Sequence, residues 1–120
     1  MRILVVEDTD DSRELFRYML ERRGHEVLEA TNGRKAVEVA LASHPDFVLM
    51  DLSMPEADGF QAIGALRAIL PFNKVPIVAI TAHSQPEWRT KALSAGCDGF
   101  LLKPVSDEDL YTTIDKLSSL

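Results

Sequence analysis

Short apolar runs, each followed by an amphipathic stretch with helical spacing, recur five times and set the narrowest limit on what this chain can fold into. The runs begin near Arg2, Glu26, Asp46, Pro76 and Asp98. An all-apolar run of this length reads as a strand buried on both faces of a parallel sheet. Repeated strand–helix alternation predicts an α/β fold, a parallel sheet with helices on both sides. No repeat, linker or low-complexity segment interrupts the pattern.

The second run, EVLEA, is the most polar and suits an edge strand, whereas the first, third and fourth suit the centre. Order 2-1-3-4-5 satisfies this. It is the order of the flavodoxin-like doubly wound (βα)5 sandwich, a match to a known pattern rather than a derivation. The first helix, Asp10 to Arg23, aligns Leu15, Phe16, Met19 and Leu20 and stops at Gly24. The second follows Asn32-Gly33 with Ala36, Val37, Ala40 and Leu41, and the third starts near Asp58 with Phe60, Ile63, Leu66, Ile69 and Leu70. Pro86 opens a fourth helix ending at Gly96. Ser106 caps a fifth, whose first turn is acidic and whose stripe is Leu110, Ile114 and Leu117.

A chain of 120 residues is expected to form one domain, spanning 1–120. Its apolar runs are far shorter than the ~20 residues that cross a bilayer, and no cleavable signal opens it. One cysteine, Cys97, excludes an internal disulfide and fits a cytoplasmic location. The net charge of −6, without a basic stripe, argues against direct binding to nucleic acid. Arg22 and Arg23 read as a pair answering a helix dipole, with a small basic patch as the alternative.

Four polar residues stand where apolar runs end: Asp8, Asp51, Thr81 and Lys103. In open α/β sheets ligands bind beyond the carboxyl ends of the strands, so these side chains are expected to converge. Two carboxylates, a hydroxyl and an ammonium suit a divalent cation with a phosphoryl group. Glu7-Asp8 begins a loop continuing Thr9-Asp10-Asp11, which reads either as helix capping or as a hard-cation site. Asp51 ends a fully apolar run and needs a partner, for which Lys103 is the evident choice. It is a candidate nucleophile toward phosphorus. Thr81 reads as a turn residue or as a hydroxyl donor to a phosphoryl oxygen.

Taken in order, Glu7-Asp8, Asp51 with Met54-Pro55 and Asp58-Gly59, Thr81-Ala82 and Lys103-Pro104 resemble a receiver domain of the two-component response regulators along essentially the whole chain. The single-domain, chemotaxis-regulator-like members are the nearest in kind. The resemblance implies that Asp51 accepts a phosphoryl group from a phosphohistidine on a sensor histidine kinase or histidine phosphotransfer protein. It implies Mg²⁺ held by Glu7, Asp8, Asp51 and the backbone carbonyl of Ser53. Lys103 would pair with Asp51 and then with the phosphoryl group. Thr81 and Phe100 would switch, and Lys103-Pro104 would be cis. The altered surface would be the fourth helix, fifth strand and fifth helix, facing a downstream protein target.

The resemblance also implies a chain that catalyses its own phosphorylation and dephosphorylation but turns over no free substrate. Phe100 stands where tyrosine is frequent in the family. Ser53 and His83, two residues past Asp51 and Thr81, are expected to tune the lifetime of the phosphorylated state. The chain is expected to be a stand-alone receiver, with an excised part of a larger regulator or hybrid kinase as the alternative. Rival readings are a receiver-like module acting without phosphorylation, an FMN binder and a haloacid-dehalogenase-type phosphatase. The acidic loop Asp8 to Asp11 disfavours the FMN binder, and Ser53, where the phosphatase has an acid, disfavours the phosphatase. His25 and His44 are expected to be solvated, Cys97 to be a packing residue, and Trp88 to be partly buried, with an aromatic anchor for a partner as the alternative.

Overall fold

The computed structural model describes residues 1–53, 59–70 and 75–118. Ten elements alternate: β1 (Arg2–Val6), α1 (Asp10–Glu21), β2 (Glu26–Ala30), α2 (Gly33–Ser43), β3 (Phe47–Asp51), α3 (Gly59–Ile69), β4 (Ile77–Thr81), α4 (Pro86–Ala95), β5 (Gly99–Leu102) and α5 (Asp107–Ser118). All strand pairs are parallel, in the order β2-β1-β3-β4-β5. The flavodoxin-like architecture expected from the sequence is the one observed. β3 and β4 are buried at every position, whereas edge strand β2 is mostly part-exposed. No described helix is long and apolar enough to cross a membrane.

Side chains alternate across a strand, so each strand feeds two cores. Leu4, Val6, Val48, Met50, Ile77 and Ala79 meet residues of α2, α3 and α4, among them Ala40, Ile63, Leu66 and Ala92. Ile3, Val5, Phe47, Leu49, Val78 and Ile80 meet α1 and α5 through Phe16, Met19, Leu20, Leu110 and Ile114.

Some residues expected in the apolar stripes lie outside them. Leu15 is 55% exposed, Leu41 56% and Ile69 38%. Each neighbours a buried residue in sequence, Phe16, Ala40 or Leu70, and one step of about 100° carries it past the edge of the contact. Val37 and Leu117 are only partly buried.

Helix ends agree closely with expectation, with differences of chemistry. α1 stops at Glu21, and Gly24 follows with φ 83° in the turn. Thr9 is its N-cap but makes no side-chain capping bond, so the capping reading of the Asp8–Asp11 loop is not realised; Asp10 pairs with Arg13 instead. Asn32 caps α2 by accepting from Lys35 N, and Ser106 Oγ accepts from Asp109 N at 3.0 Å. α2 closes on His44 in the left-handed region (φ 50°), ahead of Pro45. Arg22 and Arg23 lie over the rings of Tyr18 and Tyr111, and Arg23 also pairs with Asp115, so aromatic and ionic partners hold them.

Register aligns the carboxyl ends. Val6 pairs with Met50, Asp51 with Ile80, and Thr81 with Leu102. The next residues, Glu7 and Lys103, therefore emerge beside Asp51 and Thr81. At this same end Gly59 starts α3. A Cβ there would lie 2.8 Å from Leu52 Cδ2 and 3.2 Å from its Cα, so glycine lets the helix approach the residue after Asp51.

Candidate functional site

Three carboxylates gather at the ends of β1 and β3. Glu7, Asp8 and Asp51 each bring one oxygen within 4.8 Å of the others. Glu7 and Asp51 are buried, and Asp8 is exposed. An oxygen-only donor set with one open side is the chemistry a hard divalent cation prefers. Among the described residues this is the only such group found, and it coincides with three of the ligands expected from the sequence. The peptide N–H of the fourth, Ser53, donates to Asp51 Oδ1 at 2.8 Å.

Lys103 reaches this cluster from the end of β5. Its Nζ lies 3.1 Å from Asp51 Oδ2 and 3.3 Å from Glu7 Oε2, so it serves two carboxylates where the sequence pointed to one. Burial would lower the ammonium's pKa, but the hydrogen bond and charge of Asp51, with Glu7 behind, outweigh this and hold it above the ordinary value. The Glu7 carboxyl is raised as well, from 4.5 to about 7. Burial is the main cause, the hydrogen bond and charge of Asp51 add to it, and the Thr9 N–H and Lys103 only partly oppose it. Two buried carboxylates sharing one ammonium favour a retained proton or an added cation. The Lys103-Pro104 peptide is cis, as the resemblance implied.

Thr81 is fully buried. Its Oγ1 accepts from His83 N at 3.1 Å and lies 3.5 Å from Ser53 Oγ. Ser53 therefore touches both Asp51 and Thr81. Phe100 is partly buried and packs against the core beside β4. Met54, Pro55 and Asp58 lie outside the described residues.

Sequence reasoning passed over two contributors. Arg13, one turn into α1, donates through Nη1 to the Glu7 carbonyl at 2.9 Å and pairs with Asp10 and Glu29. Its signal was slight, a single basic residue in an acidic segment. Trp88, partly buried as expected, also stacks on His83, rings 4.0 Å apart and inclined by 7°. Nothing in residue spacing indicates that contact. His25 is partly buried, and its Nδ1 lies 3.2 Å from the N-terminal amine. Burial first, then the charges of that amine and Arg23, lower its pKa. Cys97 is buried as expected, and burial pushes its thiol up to about 12, with Asp98 adding to the effect.

Comparison with known proteins agrees with this architecture. The family model of the response regulator receiver domain matches residues 3–115. Protein PilH of Pseudomonas aeruginosa is 37% identical over 114 residues, covering 95% of this chain and 94% of that protein. The polar-differentiation response regulator DivK of Brucella ovis is 30% identical over 112 residues, 93% of this chain and 91% of that one. Among solved structures, the Vibrio cholerae chemotaxis protein CheY4 superposes with a TM-score of 0.90 at 29% identity, covering 97% of both chains. The receiver domain of a Pseudomonas aeruginosa sensor histidine kinase, with a magnesium ion coordinated in its active-site cleft, gives 0.89 at 31% identity, covering 99% of this chain and 98% of that one. Fold, strand-end constellation and family match converge, and the chain belongs to the response regulator receiver domain family.

Proposed function

We propose that this chain is a phosphoacceptor in a two-component or phosphorelay system, with Asp51 taking a phosphoryl group from a phosphohistidine on a partner protein. The observation that carries this reading is the meeting of Glu7, Asp8, Asp51 and Lys103 at one end of the sheet, with the Thr81 hydroxyl joined to Asp51 through Ser53. An Asp51 carboxylate oxygen attacks phosphorus, the phosphorus–nitrogen bond to the donor imidazole breaks, and that nitrogen keeps the electron pair. Lys103 balances charge on Asp51 before transfer and on the phosphoryl oxygens after it. Thr81 donates its hydroxyl to one of those oxygens.

Glu7, Asp8, Asp51 and the Ser53 carbonyl would hold Mg²⁺, whose part is to offset the negative charge that two anions bring together. The magnesium in the similar kinase receiver supports that assignment. Ser53 and His83, both in contact with Thr81, tune how long the aspartyl-phosphate lasts. The signal leaves through α4, β5 and α5, where Leu93 and Leu102 are exposed, toward a protein target in the cytoplasm. Phe100 on β5 shifts with Thr81 between two packings.

Incubation with acetyl phosphate and Mg²⁺ is expected to raise the intact mass by one phosphoryl group, and neither the Asp51→Asn variant nor metal-free protein should gain it. Failure of the wild type to gain mass with metal present would leave a receiver that binds partners without being phosphorylated.

A further inference from the structure

An aromatic ladder that phosphoryl chemistry does not require runs from the loop between β4 and α4 through α4 to α3. His83 stacks on Trp88, and Trp88 meets Phe60 in the first turn of α3 with ring centroids 5.5 Å apart at 40°. The Lys91 ammonium lies 4.5 Å from the Phe60 ring centroid. The ladder therefore ties the loop to two helices. His83 also reaches the site through its backbone, since its N–H donates to Thr81 Oγ1. Ser53 Oγ lies near the same hydroxyl and accepts from Ala82 N at 3.4 Å. Loop, hydroxyl and rings form one connected set.

We propose that the His83–Trp88 stack is a latch that holds the β4–α4 loop, and through it the Thr81 hydroxyl, in the resting arrangement. His83 and Trp88 are then positioning residues for phosphoryl binding. The inference rests on Asp51 being the phosphoacceptor. When the Thr81 hydroxyl moves toward a phosphoryl oxygen it draws on the His83 N–H, and the imidazole slides from a Trp88 ring that Phe60 keeps in place. An aromatic pair of this kind biases a two-state equilibrium by about two- to ten-fold. Phosphorylation must overcome that bias, so the stack lowers apparent affinity for the modification.

The test titrates the full chain with beryllofluoride and Mg²⁺, following bound fluorine by NMR and the emission of Trp88, the sole tryptophan. Wild-type emission is expected to change in step with binding. His83→Ala should bind about two- to ten-fold more tightly, with emission that no longer responds. Trp88→Leu should show the same gain although it alters no group bonded to Thr81, and His83→Phe should restore wild-type affinity by restacking. Constant wild-type emission at full occupancy, or wild-type affinity in both His83→Ala and Trp88→Leu, overturns the latch and leaves the phosphoacceptor reading intact. If folded wild type binds no beryllofluoride at all, the phosphoacceptor reading falls and the latch with it.

Discussion

Glu7 is the side chain whose charge the fold alters most usefully. It titrates near 4.5 in an unfolded chain and near 7 here, so between those values the native state keeps a proton that the unfolded state has released. Stability therefore falls as pH rises through that window and levels off above it. The fall is expected to be on the order of 1–2 kcal/mol, less than the whole shift implies because solvent reaches the mouth of the site. Urea unfolding of metal-free protein across pH 4.5–8, wild type against Glu7→Gln, measures it. The variant should show a shallower slope, and equal slopes would remove Glu7 as the cause. If Glu7 helps hold Mg²⁺, cation and proton compete, and Mg²⁺ affinity rises through the same window.

At the scale of elements, one buried cation joins α3 to the start of β5. The Arg67 side chain is 5% exposed. It donates to the carbonyls of Gly96 (2.9 Å) and Val75 (2.8 Å) and to Asp98 Oδ2 (2.7 Å). That carboxylate oxygen also accepts from Ile77 N at 2.9 Å. Arg67→Ala is expected to lose about 2–4 kcal/mol in denaturant unfolding, because carbonyls and a carboxylate lose their donor together. Arg67→Lys should recover only part, since an ammonium lacks the planar fork that serves several acceptors. A variant within about 0.5 kcal/mol of wild type would show the network to be dispensable.

For the molecule as a whole, the sheet separates two cores that share no cluster. Ile63→Val on one side and Ile114→Val on the other should each cost about 0.5–1.5 kcal/mol. The double variant should lose their sum to within about 0.5 kcal/mol and still unfold in one transition. Two separated transitions would mean that the halves melt independently.

The layout of elements and the convergence of Asp8, Asp51, Thr81 and Lys103 could be read along the chain, and the sheet order from the polar second run together with a known pattern. Each of the four is a polar residue at or next to the end of an apolar run, and parallel strands must bring such ends to one side. Contacts between groups remote in sequence had no such signal. Lys103 meets Glu7 across 96 positions, Arg67 meets Asp98 across 31, and the Trp88–His83 stack depends on how α4 leaves its loop. The need for glycine at position 59 arises only once α3 is laid against Leu52. Apolar periodicity is local and survives in the order of residues, whereas charge sharing, ring stacking and close backbone approach depend on distances that exist only after the chain has packed.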